Sequence, residues 1–145
     1  MAVTSPCTCF HLRRASRLAT QVYDHELAAV NLSLNQYSIL RRAERQPRRL
    51  GELADELGMD RTTLTRNLKP LLSAALLQQT RGEDARQRLI GVTEQGRSRL
   101  LAARPYWQKA QRRIEDAFGQ ENIAQLHTAL MALGDRLQPH GGAGA

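Results

Sequence analysis

The chain has 145 residues, 41% of them apolar and only 4% aromatic, enough for one core packed mainly by Leu and Ala and little left for a second independent one. Lysine and arginine number 21 against 14 acids, a net charge of +7, which favours polyanionic partners, nucleic acid first. Two cysteines do not make a disulfide framework, no apolar run approaches the roughly 18 residues that span a bilayer, and the first residues lack a basic-then-apolar secretion signal; a cytoplasmic protein with no membrane contact is expected.

The first helix is predicted from about Pro6 to Val30, within a helical region spanning residues 6–32. Ser5 is placed to cap it, and Pro6 suits the first helical position, where a missing N–H costs nothing. Leu12, Ala15, Ala19, Val22 and Leu27 supply an apolar stripe at helical spacing, and Asn31 ends the helix. Ser33-Leu34-Asn35-Gln36 is a capping box, with Leu32 and Tyr37 set as the hydrophobic staple around it. This second helix stops before Pro47 and ends in Arg41, Arg42, Arg45, Arg48 and Arg49. Two readings of that cluster stay open: a track for a phosphate backbone, or a solvated basic face.

Residues 50–72 carry the strongest local pattern. Leu50, Leu53, Ala54 and Leu57 form the buried face of a short helix, Gly58 supplies a turn, and Asp60 can cap a second helix that buries Leu64, Leu68 and Leu71. Ala54, Gly58 and Leu64 have the roles a helix-turn-helix needs: a small residue for close approach, a glycine in the turn, a leucine locking the crossing. Pro70 removes one backbone bond from the last turn. Leu77 to Arg81 and Arg88 to Val92 then read as two short strands joined by a polar tip, Gly82 to Gln87. A strand pair with a charged tip directly after a helix-turn-helix is a wing.

Thr93 can cap a long helix reaching about Phe118, interrupted at Pro105. Gly119 separates a last helix in which Ile123, Leu126, Leu130, Leu133 and Leu137 recur at steps of three and four, a short heptad seam. The seam is either ordinary intrachain core or a dimer interface; with so small a domain to cover, dimerisation through the first and last helices is preferred. The expected fold is mainly α with a small β-wing: a winged helix-turn-helix over residues 33–96, dimerisation helices over 6–32 and 97–138, and a disordered Gly/Ala-rich tail over 139–145, all as one domain. His11, His25, His127 and His140 are scattered, and no nucleophile–His–acid set or phosphate-cradling glycine loop appears. No enzyme and no cofactor is expected.

At this point the sequence resembles the MarR family of bacterial regulators, from about Cys7 to Leu137. The resemblance is carried by Leu50-Gly51-Glu52-Leu53-Ala54-Asp55-Glu56-Leu57-Gly58, by Thr62-Thr63-Leu64-Thr65-Arg66-Asn67-Leu68, by the tip Asp84-Ala85-Arg86, and by Leu89-Ile90-Gly91-Val92-Thr93-Glu94-Gln95-Gly96. It implies a two-fold dimer with interlocked terminal helices, reading a palindromic operator in double-stranded DNA. The second helix of the helix-turn-helix offers Arg61, Thr62, Thr63, Thr65, Arg66 and Lys69 on its exposed face; hydroxyls and guanidinium groups read base edges or phosphates. The two threonines Thr62 and Thr63 are equally readable as caps. On the wing, Arg86 reaches a minor groove or its phosphates, Asp84 orients Arg86, and Arg81 and Arg88 add backbone contacts.

Cys7 and Cys9 fall in the expected first turn of the first helix, where free amides and the helix dipole stabilise a thiolate, and Arg13 lies four residues beyond Cys9. Positions two apart point to nearly opposite sides of a helix, so the pair is poorly placed to bridge within one chain. From Cys9 to Tyr37 the chain is similar to the organic-hydroperoxide-sensing branch of the family, in which a reactive cysteine precedes a Phe, as Cys9-Phe10 does. Tyr23 matches one of that branch's thiolate-binding tyrosines; Leu34 stands where another would be. A redox switch, an inert pair, and a metal site with His11 stay open, as does a small aromatic acid or phenolic effector in place of an oxidant.

Overall fold

A computed structural model of the chain describes residues 5–139. The first helix, α1 (Thr8–Leu27), starts later than expected: Cys7 is its N-cap, with extended backbone and no side-chain cap bond. Ser5 lies outside the helix and instead accepts a hydrogen bond at Oγ from the Cys7 amide at 3.1 Å. At the other end a 3-10 turn (Ala28–Val30) runs into Asn31, whose left-handed φ of 56° stops the helix, a conformation Asn tolerates better than most residues.

The capping box forms as expected. Ser33 Oγ accepts from the Gln36 amide and Gln36 Oε1 from the Ser33 amide, at 3.1 and 3.0 Å, opening α2 (Leu34–Ala43). Asp24 on α1 adds a third bond, accepting from the Leu34 amide at 2.7 Å. Arg99 donates to the Val30 carbonyl at 2.9 Å, so four backbone groups at this corner are satisfied by side chains.

The helix-turn-helix consists of α3 (Leu50–Leu57) and α4 (Arg61–Ser73). Gly58 takes φ 65° between them, and a Cβ there would touch nothing within 4 Å, so the turn needs glycine for its backbone and not for room. Leu53, Ala54, Leu64, Leu68 and Leu71 enter the core with Ile39, Leu40 and Ile90. Pro70 sits inside α4, which nevertheless continues to Ser73.

The wing strands fall at the expected residues: β2 (Leu77–Arg81) and β3 (Arg88–Val92). A further strand was not foreseen. β1 (Arg48–Arg49) pairs antiparallel with β3, giving the order β1-β3-β2. Two residues after a proline cannot show an alternating pattern, so only pairing with a distant strand defines β1.

The long helix α5 (Glu94–Phe118) contains Pro105 without interruption, and Gly119, at φ 97°, separates it from α6 (Gln120–Leu137). The chain divides into two compact units, residues 1–110 and 111–145. In the first, Trp107 stacks between Tyr23 and Tyr37, with ring centroids 6.1 and 6.2 Å away. In the second, the Asn122 side chain donates to the Phe118 carbonyl at 2.7 Å beside Gly119. Of the expected tail, residues 140–145 lie outside the described residues. Among the described residues no helix is long and apolar enough to cross a membrane.

Candidate nucleic-acid interface

Asp60 caps α4 with both carboxylate oxygens. Oδ1 accepts from the Thr63 amide at 2.7 Å and Oδ2 from the Thr63 hydroxyl at 3.1 Å. These bonds, the backbone one first, hold the Asp60 carboxyl below its ordinary pKa, with a smaller contribution from Arg66. The Thr63 hydroxyl is therefore engaged in the cap, while Thr62 and Thr65 stand exposed on the helix surface.

Arg61, Arg66 and Lys69 are exposed along the same helix. With Thr62, Thr65, Gln79 and Arg88 they line a concavity of about 670 Å³ between α4 and the wing. Gln79 was not singled out in the sequence; its signal is the period-two alternation that places it on the same strand face as Arg81. Arg61 lies across the start of α3, its guanidinium 2.8 Å from where a Gly51 Cβ would be. A side chain at position 51 would displace it.

The wing carries a second cationic set. Register places Arg81 directly opposite Arg88, and like charges facing each other across a strand pair are destabilising on their own. At the tip, the Gly82 amide donates to the Gln87 carbonyl and the Gln87 amide to the Asp84 carbonyl, both at 2.9 Å. Asp84 Oδ1 accepts from the Arg86 amide at 3.2 Å. Asp84 thus shapes the tip backbone under Arg86, leaving the Arg86 guanidinium at the surface.

The ion pairs separate these cations from Arg41, Arg42 and Arg48, though not from Arg45 and Arg49, which form no ion pair with any described residue. Arg42 and Arg48 share Glu56, at 3.6 and 2.5 Å, and Arg41 pairs with Glu44 at 2.7 Å. Arg61, Arg66, Lys69, Arg81, Arg86 and Arg88 form no ion pair with any described residue.

The cysteines sit away from this face, at the start of α1. Both thiols are free and exposed. The His11 ring is 2.6 Å from the Ser5 carbonyl oxygen, and among the described residues no three His, Cys, Asp or Glu side chains are grouped to hold a metal. Tyr23 is fourteen residues from Cys9 on the same helix, about 21 Å along the axis at ~1.5 Å per residue. It cannot reach the Cys9 sulfur of its own chain. The sequence match of Tyr23 to a thiolate-binding tyrosine therefore does not translate into an intrachain contact.

A winged helix-turn-helix with unpaired cations on helix and wing is the architecture of a DNA-binding transcriptional regulator. No family model and no curated protein sequence matches the chain. Solved structures do. The M. tuberculosis transcriptional regulator MosR, in complex with DNA, is 35% identical, with 88% of this chain and 98% of that one covered and a TM-score of 0.73. The transcriptional repressor CouR, bound to a 23-mer DNA duplex, is 26% identical over 88% and 92% of the two chains, with a TM-score of 0.79. A MarR-family regulator from Rhodococcus sp. RHA1 shares the fold, at 21% identity, 89% and 96% coverage and a TM-score of 0.77. The chain belongs to the MarR family of winged-helix transcriptional regulators.

Proposed function

We propose that the chain is a homodimeric repressor that sets α4 of each copy into successive major grooves of a palindromic operator. The observation that carries this reading is the division of the cations: those on α4 and the wing have no carboxylate partner among the described residues, whereas Arg41, Arg42 and Arg48 do. Leaving Arg81 opposite Arg88 costs stability that a phosphate between them would return. Arg66, one turn into α4, is the leading base or phosphate contact, and Arg86 the minor-groove or phosphate contact of the wing. Two-fold symmetry sets the reading helices about 34 Å apart.

A second copy is the occupant proposed for the apolar surface of the terminal helices. Phe10 and Leu18 on α1 are 49% and 48% exposed, and Leu126 and Leu137 of the heptad seam are 41% and 71% exposed. Only Ile123 of that seam is buried in the single chain. Leucine at heptad spacing on α6 fits a helical partner.

The regulatory step proposed for this dimer is oxidation of Cys9. A hydroperoxide takes the thiol to a sulfenic acid and leaves as the alcohol; a second thiol, Cys7 or that of another copy, then expels water to form a disulfide. Exposure and the nearby helix N-terminus support this chemistry. A tyrosine stabilising the thiolate would have to come from the other copy, given the length of α1.

A second reading rests on a cavity of about 400 Å³ lined by Tyr37, Arg41, Leu100, Arg104 and Trp107. Burial holds the Tyr37 phenol above its ordinary pKa against the opposing pull of Arg41 and Arg104, so it stays a hydrogen-bond donor. Flat rings beside the Arg104 guanidinium suit a small aromatic acid, with Arg41 on the same wall already held by Glu44.

One experiment separates the two. Binding to a duplex selected by the protein from a random-sequence pool is measured before and after an alkyl hydroperoxide, then after reductant, with Cys9→Ser in parallel. The redox reading expects release that reductant reverses and that Cys9→Ser abolishes. Unchanged binding in both proteins removes the thiol switch and leaves the α2–α5 cavity as the effector site.

A further inference from the structure

The end of the reading helix, the base of the wing and the start of α5 meet at one hydroxyl. Thr93 Oγ1 donates its single proton to the Ala75 carbonyl at 2.6 Å and accepts from the Gly96 amide at 3.0 Å. The Thr93 amide donates to the Leu76 carbonyl at 3.2 Å. Ala75 adopts φ 58°, the left-handed region that alanine enters at a cost, to turn its carbonyl into this position. Gly96 allows the approach: a Cβ there would lie 2.1 Å from the Leu76 carbonyl oxygen, far inside contact distance, so no side chain fits. The clasp joins residues 18 positions apart and closes just beyond the first wing pair, Leu77 opposite Val92.

An ordinary N-cap needs only the acceptor half of this arrangement. The donor half reaches the carbonyl of Ala75, in the left-handed turn just past the Ala74 C-cap of α4. α5 is in turn fixed to the scaffold by Arg99 on the Val30 carbonyl and by Trp107 between Tyr23 and Tyr37. The Thr93 hydroxyl therefore ties both reading elements, α4 and the wing, to that scaffold.

We propose that Thr93 is a positioning residue for sequence discrimination, a proposal that rests on the DNA-reading role of α4. The physical distinction is between two kinds of binding. Phosphate attraction depends on the number of cations and tolerates small changes in their placement. Bidentate base contacts depend on orientation. Loosening the clasp removes no cation, so it reduces discrimination while sparing nonspecific binding.

The test compares affinity for a duplex selected by the wild-type chain from a random-sequence pool with affinity for a scrambled duplex of the same composition. Four full-length proteins are used: wild type, Thr93→Asp, Thr93→Val and Thr93→Ser. Aspartate can keep the cap on α5 but, ionised, cannot donate to Ala75, whereas valine loses both bonds; thermal melting establishes that each variant is folded before its binding is compared. The charge that aspartate adds weakens binding to both duplexes and cancels in their ratio. Thr93→Asp and Thr93→Val are expected to lower the selected-to-scrambled ratio about tenfold, the scale of one lost base contact, with the Thr93→Val salt slope unchanged and Thr93→Ser at the wild-type ratio. A Thr93→Asp ratio within twofold of wild type in a folded protein overturns the proposal, as does a Thr93→Ser ratio as low as that of Thr93→Asp. A wild-type chain that binds both duplexes alike overturns the DNA-reading role itself.

Discussion

Two regions of this molecule are rich in arginine, and they are built differently. The end of α2 and β1 set arginines beside carboxylates, Arg42 and Arg48 on Glu56 and Arg41 on Glu44. The reading helix and wing set six cations with no such partner among the described residues and place Arg81 opposite Arg88. Both regions add to the net charge, but carboxylates hold three of the five arginines between Arg41 and Arg49, Arg45 and Arg49 forming no ion pair with a described residue, whereas they hold none of the six cations of the reading helix and wing.

The largest expected effect lies on the unpaired side. Arg66→Ala should cost about 1–3 kcal/mol of binding to a selected duplex and relax its preference at one position per half-site, measured by titration against single-base variants of that duplex. Loss of affinity that is uniform across those variants would make Arg66 a phosphate contact. Next, Arg86→Ala should lower the salt dependence of binding by about one phosphate contact per protomer, read from log Kd against log salt. An unchanged slope would take Arg86 out of the contact set.

On the paired side the effects are smaller and fall on stability. Glu56→Gln weakens two half-exposed ion pairs and should lower unfolding free energy by about 0–1 kcal/mol, seen in urea denaturation. DNA binding should stay level or rise slightly, because two guanidinium groups are released. The cap of α4 supplies a pH test of the same kind. Folding lowers the Asp60 pKa through its bonds to Thr63, so its stabilising effect is present above the ordinary aspartate range, about 4, and is lost as pH falls through the lower folded value. Asp60→Asn, which keeps the cap geometry without the charge, should lack this component of the acid melting profile.

The contrast between regions was only half legible in the sequence. Gly58, Leu64 and the exposed cations of α4 follow from helical spacing within a dozen residues, and the wing strands from a change of period after Leu76. Ser33 and Gln36 announce their cap because both partners lie within four residues. The ion pairs that set Arg48 apart from Arg66 reach from β1 to the far end of α3, and spacing along the chain does not reveal them. β1 exists only through its pairing with β3. The start of α1 was misplaced because Ser5 fits a local capping rule, while the backbone turns helical only after Cys7. The Thr93 clasp spans 18 residues and uses a carbonyl, which no side-chain pattern encodes.

The most direct test of the account exchanges the two regions. Affinity for a selected duplex is measured for wild type, for Arg66→Ala with Arg86→Ala, and for Arg42→Ala with Arg48→Ala, each below its melting transition. The first pair of substitutions is expected to abolish preference for the selected duplex over a scrambled one, while the second pair leaves that preference at the wild-type level. Loss of preference in the Arg42/Arg48 variant, with the Arg66/Arg86 variant still discriminating, would contradict that expectation.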